Sequence, residues 1–241
     1  MNEFIPSGEK EPGVVYHCIP TAATGDCIRP SNNYGTEIPP EIRRKLGLPM
    51  EGNPPLVFAS PYITKAMAFG LQGSLGETIC NGSIEDSDNE LVLACERGKL
   101  MARQRDITIY AMADRDFVTL ERADRQAVAA RPIPFSEARV AFKASSAEDL
   151  MRGGLQILAF DESFKELGGY GFVKKTMETR GHKDFYHFLA DMVREGKVKW
   201  ENAERGLNPD PVLARKIGVP LAPAPGASRA NGPSWAVSPK I

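Results

Sequence analysis

The sequence predicts an α+β fold, a split sandwich of two small, mainly antiparallel sheets with few helices. Short apolar runs of strand type recur between residues 13 and 160, and glycine, proline or polar residues bound each run. Strict alternation of one strand with one helix is absent, which argues against a doubly wound nucleotide-binding fold. Helices are expected mainly after residue 160, as an extension of the sandwich.

The individual strands are assigned from runs rich in Val, Ile, Leu, Tyr and Phe. They cover residues 13–19, 56–59, 91–95, 106–111, 116–120, 139–144 and 155–160. A helix over about residues 61–71 follows the second strand, because Ser60 can cap its first turn and Pro61 suits the first helical position. A second short helix is expected to begin after Ser146 and to end at Gly153.

The predicted organisation has four parts: a flexible lead-in (residues 1–12), the sandwich domain (13–160), a helical extension (161–207) and a Pro/Ala-rich flexible tail (208–241). The extension is assigned from apolar residues at helical spacing, namely Phe185, Phe188, Leu189 and Met192. The tail contains seven prolines and little periodic apolar pattern. Burial of so few apolar groups would not offset the entropy cost of ordering it.

The composition bounds the classes of function. With 42% hydrophobic residues the 241-residue chain can bury a sizeable core, and a net charge of −1 gives no global attraction to nucleic acid or an anionic membrane. The four cysteines lack CxxC spacing, which favours free thiols over a zinc site or a disulfide framework. No apolar run approaches a membrane span and no signal-peptide pattern is present. We therefore expect no metal, no membrane, and a cytoplasmic protein or one exported without a cleavable signal.

Two strand ends carry the candidate site residues. Tyr16 and His17 lie late in the first strand, Phe58 lies in the second strand, and Tyr62 lies in the first turn of the helix that follows. The connection between these strands, about residues 30–55, contains six prolines and has the length of a binding loop or lid. A His at one strand end and aromatics at another indicate a cleft, although each residue also has an ordinary packing interpretation.

These residues resemble the motifs of the ADP-ribosyltransferase superfamily, over roughly residues 10–160. Tyr16-His17 is similar to the first motif, a strand ending in His, and residues 57–60 with the following helix are similar to the second. The third motif, an acidic residue near the start of a late strand, is matched by Glu137. Cys18 stands where the family has Gly, and Phe58 stands where it usually has Tyr.

The resemblance implies a glycosyltransferase that takes NAD as co-substrate, transfers ADP-ribose to an acceptor and releases nicotinamide, as toxins and effectors of this superfamily do. His17 would position the nicotinamide ribose, and Glu137 would stabilise the oxocarbenium-like transition state. These two are the implied catalytic residues. The implied NAD-binding residues are Tyr16, His17, Cys18, Arg29, Ser31, Phe58 and Tyr62. Among them, the main chain of Cys18 would bind the carboxamide and a basic Arg29 suits the diphosphate.

Alternatives remain open at this point. Phe58 lacks the hydroxyl of the usual Tyr, which is compatible with a catalytically inactive module that binds NAD, ADP-ribose or a partner protein. An NAD-dependent RNA 2′-phosphotransferase is a second alternative, and it would need basic residues lining the cleft. The acceptor can be a protein, a nucleic acid or a small molecule. Nucleic acid is not favoured, because the pI is about 6.3 and the basic residues are not interleaved with aromatics.

Overall fold

The computed structural model of the chain describes residues 11–21, 25–31, 38–75, 80–83, 91–102, 106–120, 126–161, 169–182, 185–207 and 209–218. Within these residues the fold is mixed α+β with small, mainly antiparallel sheets, and the predicted fold class is confirmed. Residues 1–10 of the predicted lead-in and residues 219–241 of the predicted tail lie outside the described residues.

The strands, in chain order, are β1 (Val14–Pro20), β2 (Cys27–Ile28), β3 (Val57–Ala59), β4 (Cys80–Ser83), β5 (Leu91–Glu96), β6 (Ile107–Ala113), β7 (Val118–Leu120), β8 (Gln126–Ala129), β9 (Ile133–Pro134), β10 (Ala138–Ala144), β11 (Gln156–Phe160) and β12 (Val198–Trp200). The helices are α1 (Pro40–Lys45), α2 (Ile63–Leu75), α3 (Arg97–Ala102), α4 (Ala147–Arg152), α5 (Gly169–Arg180), α6 (Phe185–Arg194), α7 (Glu201–Glu204) and α8 (Pro211–Ile217). Single 3₁₀ turns span Asp114–Asp116 and Phe135–Glu137.

The described strands form four hydrogen-bonded groups, ordered β1-β6-β10, β12-β11-β5-β4, β2-β9 and β3-β8-β7. Their pairings are antiparallel except for β5 with β11, which is parallel. Two isolated backbone bridges, Tyr16 with Ser60 and Ser31 with Leu56, join three of these groups at β3. The strands that carry the candidate site residues are thereby connected to one another.

The hydrophobic core follows this layering. A central core, which includes Tyr16, Met67, Ile109 and Ile157, lies between the β1-β6-β10 sheet, the four-stranded sheet, α2 and α4. The opposite face of β1-β6-β10 packs against β3, β8 and β9 through a second cluster, here called the cleft-side core. Its buried members are Val15, Ile28, Val57, Ala59, Met112, Ala127, Ala129 and Ile133. The two faces of β1 therefore have different surroundings.

Local capping explains why the helix expected after Ser146 forms where the sequence predicts it. The Ser146 hydroxyl accepts the Asp149 N–H at 3.1 Å, and the Asp149 carboxylate accepts the N–H groups of Ser145 and Ser146, so α4 begins with a reciprocal capping box. The N–H of Ser145 is the largest cause of a lowered pKa at Asp149.

The helix expected over residues 61–71 also forms, but α2 begins at Ile63 and ends at Leu75. The Ser60 hydroxyl accepts the Tyr62 N–H just before the helix, so Ser60 and Pro61 precede its first turn and do not occupy the predicted positions. None of the helices in the described ranges is long and apolar enough to cross a membrane.

The C-terminal part differs from the prediction in two elements. The expected helical extension also contains β12, which pairs with β11 and buries Trp200. The expected tail, 208–241, begins too early, because α8 lies within it and buries Leu213 and Ile217. Asp210 caps α8 by accepting the N–H of Val212 and of Leu213, and Pro211 occupies its first position. Prolines interpreted as signs of a loose tail thus include one that starts a helix.

The connection between β2 and β3 is organised from residue 38 onward by one buried arginine. The Arg43 guanidinium donates to the carbonyl oxygens of Ile38, Pro49 and Gly52 at 3.0, 2.7 and 2.7 Å. A guanidinium can serve three carbonyls because its donors point in several fixed directions. Residues 32–37 of the expected lid lie outside the described residues, and residues 38–53 are held by Arg43.

Candidate functional site

His17 lies on the face of β1 that turns toward β3. Successive strand residues point to opposite faces, so Val15 and His17 share one face while Tyr16 points into the central core. The Nδ1 atom of His17 lies 2.6 Å from the carbonyl oxygen of Phe58. Because a carbonyl oxygen only accepts, Nδ1 carries the hydrogen and donates it. The ring is thereby fixed against the backbone of β3.

The protonation state of His17 follows from its surroundings. Burial lowers the pKa of the His17 imidazole below its usual 6.5, and the hydrogen bond to Phe58 opposes this shift only in part. The ring is therefore neutral at physiological pH, with its hydrogen on Nδ1 and a lone pair on Nε2. No described residue forms a hydrogen bond with Nε2. The side chain thus offers a fixed acceptor to a ligand hydroxyl.

Tyr16 connects β1 to the approach to α2. Its N–H donates to the carbonyl of Ser60 at 2.7 Å, and its own carbonyl accepts the Ser60 N–H at 2.9 Å. The side chain is 1% exposed, and its hydroxyl donates to Glu11 at 3.1 Å. Burial is the largest cause that raises the pKa of Tyr16 to about 12. The side chain points away from the His17 face, so what Tyr16 brings to the site is its backbone.

The main chain of Cys18 lies on the same edge of β1 as that of Tyr16. Backbone N–H and C=O groups alternate between the two edges of a strand, and those of Tyr16 bond Ser60. The Cys18 groups are therefore turned away from β6, toward the side on which β3 ends. Its Sγ lies close to Gly70 of α2 and belongs to the margin of the central core. This edge is where the resemblance assigns the carboxamide contact.

Of the two aromatic residues after β2 that the resemblance implies for NAD binding, Phe58 and Tyr62, the Phe58 ring does not share the face of His17. In β3, Val57 and Ala59 face the cleft-side core, while the Phe58 ring packs against a separate cluster with Ile42 and Leu120. Tyr62 is buried at the approach to α2, with 4% exposure. Phe58 contributes its carbonyl oxygen to His17, and its ring is on the opposite side of β3.

Arg29 and Ser31 are both exposed and follow β2. The Ser31 N–H and C=O each form a 2.9 Å hydrogen bond with Leu56, two residues before Phe58. This bridge places Ser31 alongside the strand whose carbonyl holds His17. Arg29 lies two residues earlier on the same segment, and no contact of Arg29 with β3 accompanies this bridge among the described residues.

Glu137 does not lie level with His17. It ends the 3₁₀ turn before β10, and Ala138, the next residue, is level with Met112 and Val15. Its carboxylate accepts from Arg131 at 2.7 Å, and Arg131 also donates to Asp116 at 2.6 Å. All three groups are substantially exposed to solvent. The Glu137 carboxylate thus has an ion-pair partner at the surface. It lies nearer the N-terminal ends of β1 and β10 than His17 does.

The residues that do lie level with His17 were missed by sequence reasoning. His17 pairs with Tyr110 of β6, and Tyr110 pairs with Val140 of β10. The Tyr110 ring contacts that of Phe135 with centroids 5.0 Å apart, and Val140 is 44% exposed. The alternation of buried and exposed side chains along β6 could have assigned Tyr110 to one face of its sheet. The local sequence does not indicate that β1 is the strand beside β6, so it could not place Tyr110 next to His17.

The described residues contain no group of three or more His, Cys, Asp or Glu side chains placed to hold a metal ion. What the site offers is a neutral imidazole acceptor and an uncharged strip across three strands. Such an arrangement suits hydrogen bonding to a sugar rather than electrostatic capture. No protein-family model, curated protein or solved structure matches the chain.

Proposed function

We propose that the chain binds NAD on the His17 face of β1 and transfers ADP-ribose from it to an acceptor, with release of nicotinamide. The observation that carries the proposal is the hydrogen bond from His17 Nδ1 to the Phe58 carbonyl. This bond fixes the neutral imidazole with its hydrogen on Nδ1, so Nε2 is a hydrogen-bond acceptor. A ribose hydroxyl is a donor that fits it. A nicotinamide ribose offers that donor at the carbon next to the bond that breaks.

The edge of β1 supports the same assignment. The carboxamide of nicotinamide has one N–H donor and one C=O acceptor on the same side, which match the C=O and N–H of a single strand residue. The N–H and C=O of Cys18 lie on the edge of β1 that is turned away from β6, directly after His17, where the resemblance assigns the carboxamide contact. A sugar hydroxyl at His17 and a carboxamide at Cys18 would together orient the nicotinamide riboside half of NAD.

In the transfer reaction the bond between nicotinamide and ribose breaks and nicotinamide leaves with the bonding pair. The nucleophilic atom of the acceptor forms a new bond to the ribose and loses its proton to solvent. Positive charge develops on the sugar, and a nearby carboxylate stabilises it. Glu137 is the carboxylate proposed for this step. It would have to leave Arg131, which costs little because exposed ion pairs contribute about 0–1 kcal/mol.

A second candidate is a module that binds NAD or ADP-ribose without cleaving it. One observation favours it: the residue of β10 level with His17 is Val140, and the carboxylate of Glu137 is paired with Arg131. A site without a carboxylate beside the ribose would hold the ligand and leave the transition state without its charge partner.

The deciding experiment measures NAD binding by calorimetry and nicotinamide release by chromatography, on the same purified protein. We expect both for the parent chain, and neither for His17→Ala. His187→Gln, which removes an exposed histidine on α6, is the matched control and should behave as the parent. Binding without release in the presence of cell lysate would assign the binding module. The absence of both binding and release would overturn the proposal. A separate incubation of the protein with labelled NAD in the same lysate would identify the class of acceptor.

A further inference from the structure

Tyr110 lies beside His17 on the face that we assign to NAD. The two residues are direct partners across the antiparallel β1–β6 pair, so their side chains project from the same face. In such pairs the Cβ atoms are about 4.5–5.5 Å apart. Val140 of β10 is the next partner, which makes a row of His17, Tyr110 and Val140 across three strands.

The surroundings of Tyr110 leave part of it accessible. Its ring is half-buried at the margin of the cleft-side core and contacts the Phe135 ring at 5.0 Å and 34°. The Phe135 N–H in turn donates to the Asp26 carbonyl at 3.0 Å, so the partner ring stands on a fixed backbone. No described residue forms a hydrogen bond with the Tyr110 hydroxyl. The Tyr110 ring is therefore supported on one side by Phe135, and its remaining exposed surface can contact a ligand.

Two other aromatic candidates, Phe58 and Tyr16, are excluded by their positions. The Phe58 ring packs on the far side of β3, and the Tyr16 ring lies in the central core on the opposite face of β1. Tyr110 is the aromatic member of His17's row, and Val140 extends the row with an exposed apolar surface. The row has no charged residue, which suits the face of a sugar or a ring better than a phosphate.

We propose that Tyr110 contacts the nicotinamide riboside half of NAD, with its ring as the floor of the site and its hydroxyl as a second polar contact beside His17. This inference rests on the proposed function and adds a residue that determines which half of the ligand the face recognises. Phe135 acts as a positioning residue, because it holds the Tyr110 ring without belonging to the row.

The test compares two halves of the ligand, nicotinamide mononucleotide and AMP, by calorimetry. Tyr110→Leu removes the aromatic ring and keeps an apolar side chain, whereas Tyr110→Phe removes only the hydroxyl. An aromatic contact of this kind predicts that Tyr110→Leu weakens binding of NAD and of nicotinamide mononucleotide about tenfold. AMP affinity should stay within about twofold of the parent, which also shows that the variant is folded. Tyr186→Phe, in α6, is the matched control and should bind all three ligands as the parent does.

The outcomes separate this inference from the proposed function. A parent chain that binds NAD, with Tyr110→Leu unchanged toward nicotinamide mononucleotide, overturns the inference and leaves the proposed function standing. Equal losses for AMP and nicotinamide mononucleotide also overturn it. A parent chain that binds neither NAD nor nicotinamide mononucleotide overturns both. If Tyr110→Leu does not fold, Tyr110→Phe decides: a loss of about threefold or more for nicotinamide mononucleotide alone supports the contact, and unchanged affinity refutes it.

Discussion

The imidazole of His17 and the carbonyl group of Phe58 are joined by a 2.6 Å hydrogen bond that connects β1 to β3. A second connection, the backbone bridge of Tyr16 with Ser60, lies one residue earlier on β1. The bridge keeps β1 beside the end of β3, and the ring of His17 cannot turn without breaking its own hydrogen bond to Phe58. The lone pair of Nε2 is thereby held in one direction, which is the property a ligand-orienting residue needs.

Stability should depend on pH through His17. Burial lowers the pKa of the folded-state imidazole below 6.5, so just below that pH the unfolded state binds more protons than the folded state. This group therefore hardly affects the free energy of unfolding well above pH 6.5, and the free energy of unfolding decreases as the pH falls from there to the folded-state pKa, below which it levels off. Melting temperatures measured from about pH 8 to about pH 5 should show the loss.

The comparison with His17→Gln isolates this contribution. The variant cannot titrate, so its melting temperature should depend less on pH over the same range. His187→Gln removes another histidine and should retain the pH dependence of the parent. NAD binding by the parent should weaken over the same range, since a protonated ring has no acceptor at Nε2. Identical pH profiles for His17→Gln and the parent would contradict the assignment.

Glu137 decides between transfer and binding. Glu137→Gln should lower nicotinamide release about a hundredfold, because a neutral amide does not stabilise the positive charge that develops on the ribose. The melting temperature should hardly change, since the ion pair with Arg131 is exposed. Arg131→Ala frees the carboxylate and should keep or raise the rate. A rate within about threefold of the parent for Glu137→Gln would remove Glu137 from the mechanism.

How much the sequence alone could predict depended on whether the determining contacts are local. Helix α4 was predicted correctly at both ends, because the cap formed by Ser146 and Asp149 lies within four residues of chain. Strand β12 and helix α8 were missed, because burial against distant parts of the fold determines them: Trp200 and Leu213 both pack in a cluster with Leu158 and Phe188. Local propensity carries no information on such contacts.

The same distinction applies to the candidate site. His17 was predicted as a site residue from its place in a strand, and it lies in β1, a strand of seven residues. The neighbours Tyr110 and Val140 depend on the register of three strands that are far apart in sequence. The face of β3 on which the Phe58 ring lies is likewise determined by packing against Leu120 of β7, which is far from Phe58 in sequence. Motif matching therefore predicts a strand for the candidate site and leaves the residues that line it undetermined.

Arg43 should control the connection before β3. Arg43→Ala removes three hydrogen bonds from a buried charged group to backbone carbonyls. Hydrogen bonds to charged groups contribute about 1.5–3 kcal/mol each, so we expect a loss of at least about 3 kcal/mol in the free energy of unfolding. Chemical denaturation measures that loss, and limited proteolysis should show faster cleavage within residues 38–53. Arg44→Ala, at the exposed neighbouring position, should change neither quantity, and an equal effect there would contradict the role given to Arg43.

Gly70 should be intolerant of a side chain because of its contact with Cys18. A Cβ at Gly70 would overlap with the Cys18 Sγ and lie 3.2 Å from the Ile107 side chain. Overpacking of this kind costs about 1–3 kcal/mol, so Gly70→Ala should lower the melting temperature. Adding Cys18→Ala should restore part of the loss, which a double-mutant cycle would measure as a favourable coupling. Gly171→Ala, on α5, meets no atom within 4 Å and should be neutral or slightly stabilising. Strictly additive effects at Gly70 and Cys18 would refute the contact.

The C-terminal boundary of the folded part should lie directly after α8. Leu213 and Ile217 are buried in the cluster on the outer face of the four-stranded sheet, while Val212 of the same helix is 44% exposed. Leu213→Ala should therefore cost about 2–5 kcal/mol, and Val212→Ala should change stability by less than about 0.5 kcal/mol.

Truncation tests the same boundary independently of side-chain chemistry. A chain ending at Gly218 keeps the whole of α8 and should melt at the temperature of the full chain, as the flexible-tail prediction for the remaining residues requires. A chain ending at Pro209 loses the helix and uncovers the apolar surface beneath it, so it should melt at a distinctly lower temperature. Equal melting temperatures for the two truncations would show that α8 adds nothing to the core. A fall already at the Gly218 truncation would show that residues beyond 218 contribute to the fold.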